Sequence, residues 1–114
     1  MAVQVDDVRM LQGYMKQLLK RARHHARNVD QIVFPLAGAI IWKKSPAPLE
    51  VRSGKDGGMG VALTAKINRK RYAFSYNHAD RCIDMKDGSF QGAVIRQFSN
   101  ETRLPDLISF FESL

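Results

Sequence analysis

The sequence predicts an α+β fold: a mainly antiparallel, curved sheet of five or six strands, with a long N-terminal helix and a short C-terminal helix on one face. Three observations predict it. Apolar residues recur at steps of three and four between Val5 and Asn28, alternate at a period of two from Val61 to Ile67, and return to helical spacing from Leu104 to Leu114. With 114 residues, 45% of them hydrophobic and 25% charged, the chain has the size and composition of one globular unit, so residues 1–114 are read as a single domain.

Val8, Leu11, Met15, Leu18, Ala22 and Val29 make the stripe of the first helix, widened by Leu19 and Ala26. Asp6 and Asp7 at its start and Arg21, Arg23 and Arg27 near its end match the helix dipole. Ile32-Val33-Phe34 and Ala39-Ile40-Ile41-Trp42 are rich in β-branched and aromatic residues. Pro35 cannot donate to a central ladder, so this block reads as two short strands, or as one strand bent over Pro35-Leu36-Ala37-Gly38. Ser45-Pro46-Ala47-Pro48 then turns the chain into a short strand from Leu49 to Arg52.

The glycine-rich stretch from Gly54 to Gly60 invites comparison with a phosphate-binding loop. Neither Lys-Ser/Thr nor a helix follows it, so it reads as a connection between strands. Leu63, Ala65 and Ile67 mark one face of the next strand, a tight basic turn spans Asn68 to Arg71, and Tyr72, Phe74 and Tyr76 line one face of the strand beyond. Asp87-Gly88 signals a two-residue hairpin between Cys82–Lys86 and Ser89–Phe98, which pairs Met85 with Phe90 and puts Ile83 and Val94 on one face. In the last helix Thr102 is a candidate cap, Pro105 falls in the first turn, and Leu104, Leu107, Ile108, Phe111 and Leu114 share a face.

Eighteen Lys and Arg against eleven Asp and Glu give a net charge of +7, which favours an acidic partner or nucleic acid. A single cysteine, Cys82, excludes an intrachain disulfide. The N-terminal residues lack a basic and then apolar leader pattern, and the longest apolar-rich run is shorter than a membrane span. The chain therefore reads as cytoplasmic, without a membrane partner.

No catalytic, cofactor or metal signature emerges. His78, Asp80 and Cys82 alternate and would share one side of an extended segment, but no second cluster completes a zinc site, and the adjacent His24 and His25 diverge on a helix. The basic clusters are more pointed. Lys16, Lys20, Arg23 and Arg27 load the first helix, and Arg69, Lys70 and Arg71 load the turn, beside Lys66. Either could follow a phosphate backbone, or simply be a solvated face. Lys70-Arg71-Tyr72-Ala73-Phe74 echoes an RNA-recognition signature, yet the aromatics read better as core, and the order of elements departs from that family.

The block from Ile32 to Trp42, the run Tyr72-Ala73-Phe74-Ser75-Tyr76-Asn77, the stretch from Gly92 to Asn100 and the helix with Phe110-Phe111 together resemble small proteins encoded by mobile integron gene cassettes. Those proteins form a heterogeneous set without a shared activity. The resemblance implies a compact, often oligomeric protein and transfers no catalytic residue.

The function expected is that of a small non-catalytic binding module, homo-oligomeric and most simply a dimer. Ile40, Trp42, Ile95 and Phe98 are its candidate interface, being apolar residues on parities that the first helix need not cover. The alternative is nucleic-acid binding through the two basic clusters. A lesser one is a small basic ribonuclease, with His78 as acid or base and Arg81 or Arg96 holding phosphate.

Overall fold

The computed structural model describes residues 28–52 and 62–114, together with the helical positions 9, 12, 13 and 16. Arg9, Gln12, Gly13 and Lys16 are exposed and spaced as one face of a helix. The rest of the expected N-terminal helix and the Gly54 to Gly60 loop lie outside the described residues.

From Val33 the order is α1 (Val33–Lys43), β1 (Glu50–Arg52), β2 (Ala62–Ile67), β3 (Lys70–Asn77), β4 (Cys82–Asp87), β5 (Val94–Phe98) and α2 (Leu104–Glu112). Every strand pairs antiparallel with its neighbour in sequence, so the sheet is a meander ordered β1-β2-β3-β4-β5. The period-two reading of β2 holds. Leu63, Ala65 and Ile67 are buried and pair into β3, whose Tyr72 and Phe74 are buried on the same face. Ile83, Met85 and Phe98 continue that face, and Leu36 and Ile40 of α1 with Leu107 and Phe111 of α2 close over it in one cluster.

The block from Ile32 to Trp42 is corrected: it is a helix, not a strand. Val29, Ile32, Val33, Leu36, Ala37 and Ile40 are all buried and step by three and four, which only a helix can bring to one side. Pro35 does no damage because it lies in the first turn, where an amide has no partner inside the helix. Two amides just ahead, those of Gln31 and Ile32, donate to Asn100 Oδ1 at 2.9 and 3.2 Å. Asn100 is itself held by Asp30, to which its Nδ2 donates at 2.7 Å.

The β4–β5 connection also departs from expectation. Met85 pairs with Arg96 rather than Phe90, Val94 pairs with Lys86, and a bulge interrupts the register between Met85 and Lys86. Ile83 is therefore core while Val94 is exposed on the other face. Gly88 takes a positive φ of 80°, but the loop closes five residues later, where the Asp87 amide donates to the Ala93 carbonyl at 2.9 Å. Thr102 does not cap α2. Its Oγ1 accepts from the Ser99 amide at 2.9 Å, and Arg103 stands at the N-cap without a side-chain bond.

Candidate functional site

Among the described residues three features stand out beyond the core: an apolar groove between the helices, a polar cluster on the far face of the sheet, and a basic strand end.

The groove has a volume of about 280 Å³ and runs between α1 and α2, lined by Pro35, Gly38, Trp42, Leu104 and Ile108 among others. Its origin lies in α1, which has no charged residue before Lys43. With one side of the helix in the core, the other still shows Phe34, Ile41 and Trp42, exposed by 57, 40 and 55%. Leu104 and Ile108 of α2, one turn apart, face outward beside them. Of the four expected interface residues, Trp42 sits in this groove and Ile95 is exposed on the edge strand β5. Ile40 and Phe98 are corrected: both are core residues, 1% exposed, because α1 is a helix and β5 pairs Phe98 with Ile83.

On the far face of the sheet, Ser75, Cys82 and Asp84 are buried. Asn77 Nδ2 donates to Asp84 Oδ2 at 3.1 Å and to Asp80 Oδ2 at 3.2 Å. Gln97 Nε2 donates to Asp84 Oδ1 and to Asp80 Oδ2, both at 3.0 Å. Two amides thus clamp two carboxylates, and the Cys82 thiol donates to Asp84 Oδ1 at 3.5 Å. Asp80 and Cys82 therefore converge on Asp84, whereas His78 turns aside and rests edge-on against Tyr76, ring centres 4.7 Å apart. Arg96 lies over the Phe110 ring at 4.6 Å, so His78 and Arg96, two of the three residues considered for ribonuclease chemistry, rest on separate neighbours. Among the described residues, no group of three or more His, Cys, Asp and Glu side chains could hold a metal ion.

Burial, reinforced by the charge and hydrogen bond of Asp84, pushes the Cys82 thiol up from 9.0 to about 12. At pH 8 that leaves roughly a thousandfold less thiolate than in an unfolded chain. Iodoacetamide is therefore expected to label Cys82 rapidly in denaturant and at least a hundredfold more slowly in the native protein, as read by intact mass. Equal rates would refute the assignment. Because the folded value is the raised one, this group's contribution to stability is full below pH 9.0 and is lost as pH climbs toward 12.

The basic strand end is set by a tight turn. Asn68 and Arg69 take positive φ of 50° and 70°, and the register across them pairs Ile67 with Lys70 and Lys66 with Arg71. The α1 C-terminus arrives at the same end, where Lys44 bridges to Ile67 and the Ser45 amide donates to the Lys66 carbonyl at 2.8 Å. Arg69, Lys70 and Arg71 are exposed there, as expected. Lys16 is exposed on its helical turn, and Lys20, Arg23 and Arg27 lie outside the described residues. Sequence reasoning missed the partnership of Lys66 with Arg71. A five-residue spacing centred on a two-residue turn was the available signal. It also missed Leu104 and Ile108 as groove residues, since their spacing alone reads as core.

Over the described residues from 28 onward, fold and surfaces together define a class: a small antiparallel meander with two helices on one face, an apolar groove between them, and cations gathered at one strand end. The chain belongs to the integron cassette protein family. The family model described as "Integron cassette protein VCH_CASS1 chain" matches residues 11–108, which takes in the whole sheet and both of its surfaces. A search of curated proteins finds no match. No helix among the described residues is long and apolar enough to cross a membrane.

Proposed function

We propose that the protein is a non-catalytic interaction module that works as a homodimer joined through the α1–α2 groove. The observation that carries this reading is the outer side of α1. A helix that is apolar all round calls for cover on every side, and here Phe34, Ile41 and Trp42 face outward. With Leu104 and Ile108 they present on the order of 500 Å² of apolar surface, at the upper end of what monomers expose. A standard interface takes about 800 Å² from each partner, so this patch supplies an apolar centre and leaves a modest polar rim to complete it. A second copy brings the same groove and the same protruding Trp42, as a two-fold contact requires.

Light scattering at micromolar concentration tests it directly. The expected mass is twice 12.9 kDa, and a mass of 12.9 kDa across that range would overturn the reading. Trp42→Glu and Ile108→Glu, each at an exposed position, should weaken association at least a hundredfold while leaving the far-UV circular dichroism unchanged.

A further inference from the structure

The far face of the sheet carries charges in an arrangement that folding alone does not favour. Paired residues share a face, so the register puts Lys66 of β2 and Arg71 of β3 side by side, and Lys86 of β4 on the same face through its pairing with Ala73. Like charges set directly opposite across strands are destabilising. No described acid forms an ion pair with Lys66, Arg69, Lys70 or Arg71. On this face Glu50 is paired opposite Thr64, one step back from Lys66, and Asp84 stands one step back from Lys86 along β4, where it is held by Asn77 and Gln97.

Arg69 adds a second cost. At φ 70° it occupies a left-handed turn position where glycine would sit without strain. Asp87, paired opposite Tyr72, is an acid at this same strand end, on the other face from Arg71, while Asp80 lies in the β3–β4 turn at the opposite end. The cations therefore form a row running from the Asn68–Arg69 turn across three strands. At its far end Lys86 lies 4.7 Å from the centre of the Phe90 ring, which is 41% exposed.

From this geometry we infer that Lys66, Arg69, Arg71 and Lys86, with Phe90, form a binding surface for single-stranded nucleic acid. A row of cations suits a chain of regularly spaced phosphates better than a single small anion. An exposed aromatic beside the row offers a base a face to stack on. The surface lies on the sheet face opposite α1 and α2, so it does not depend on dimerisation through the groove.

Fluorescence anisotropy of a fluorescein-labelled 20-nucleotide oligo(dT), titrated with the full chain, tests the inference. Binding is expected at 50 mM KCl. With about four phosphates neutralised, affinity should fall about 50-fold by 200 mM. Two variants separate binding from folding, because both relieve a cost to the fold. Arg71→Glu converts a repulsive pair into an attractive one, and Arg69→Gly releases the left-handed strain. Melting temperatures should hold or rise, while affinity drops at least tenfold for Arg71→Glu and severalfold for Arg69→Gly. Phe90→Ala should weaken binding severalfold without changing the salt slope. No anisotropy change at 100 μM protein, or unchanged affinity in Arg71→Glu, would overturn the proposal. So would binding to vesicles containing phosphatidylserine without binding to the oligonucleotide, which would reassign the row to a membrane surface.

Discussion

Phe98→Ala is expected to remove about 3–5 kcal/mol of stability, the range for deleting a fully buried aromatic side chain. Phe98 is 1% exposed and ends the edge strand β5, where it pairs with Ile83. Its ring centre lies 6.1 Å from that of Phe110 and 6.0 Å from that of Phe111, so this one side chain ties β5 to α2. Alanine would leave a cavity that the two rings of α2 cannot fill without moving the helix. Because a domain of this size has about 5–15 kcal/mol in total, the loss should be visible as a large drop in the urea midpoint. Ile95→Ala, three residues earlier and 43% exposed, should shift stability by about 0.5 kcal/mol or less. A small effect at Phe98, or similar effects at both, would remove Phe98 from the core.

Gly92→Ala is the second large effect, and its cause is backbone rather than packing. A Cβ at Gly92 would stand 1.7 Å from the Asp87 carbonyl oxygen and 2.8 Å from the Asp87 carbonyl carbon. No side-chain rotation relieves a clash with a carbonyl, so the loop must open. Opening it strains or breaks two bonds, Asp87 N–H to the Ala93 carbonyl and Gly92 N–H to the Ser89 carbonyl, both 2.9 Å. Overpacking and lost hydrogen bonds together suggest about 3 kcal/mol. Gly88→Ala is the informative comparison. Gly88 has φ of 80° but open space around it, so alanine there should cost only about 1–2 kcal/mol. Thermal melts that place Gly92→Ala at or above Gly88→Ala would contradict this account of the loop.

Both expectations concern segments whose pattern misled. In β2 and β3, alternation of Leu63, Ala65 and Ile67 and of Tyr72 and Phe74 reported the core face directly, because the intervening residues are polar or small. In α1 no such contrast exists. Val33, Phe34, Ile40, Ile41 and Trp42 are apolar on every side, and a helix without a polar face loses the period that would reveal it. The β-branched residues and Pro35 then argue for strand, although a proline in a first turn is harmless to a helix. Asp87-Gly88 misled differently. The dipeptide does mark a left-handed turn residue, but the tight contact is made by Gly92, and no local rule says which glycine closes the loop.

The candidate surfaces divide the same way. Arg69, Lys70 and Arg71 are legible because they are consecutive, and Trp42 stands out by composition. The facing of Lys66 and Arg71 needs the hairpin register, and the meeting of Gly38 and Trp42 with Leu104 and Ile108 needs tertiary packing between elements some 60 residues apart. The clamp on Asp84 joins β3, β4 and β5 and could not be placed before the strand order was known.

That clamp bears on how the sheet avoids misassembly. Moving β4 by one residue would turn Ile83 and Met85 away from the helices and carry Asp84 into the space they fill. A carboxylate there would have lost both Asn77 and Gln97, and an ionised group without donors in an apolar interior is severely penalised. The donors come from the strands on either side, so a slip at either border of β4 breaks one of them. Asp84 thus proofreads two alignments at once: wrong pairings are made costly, and the meander is left with one set of partners.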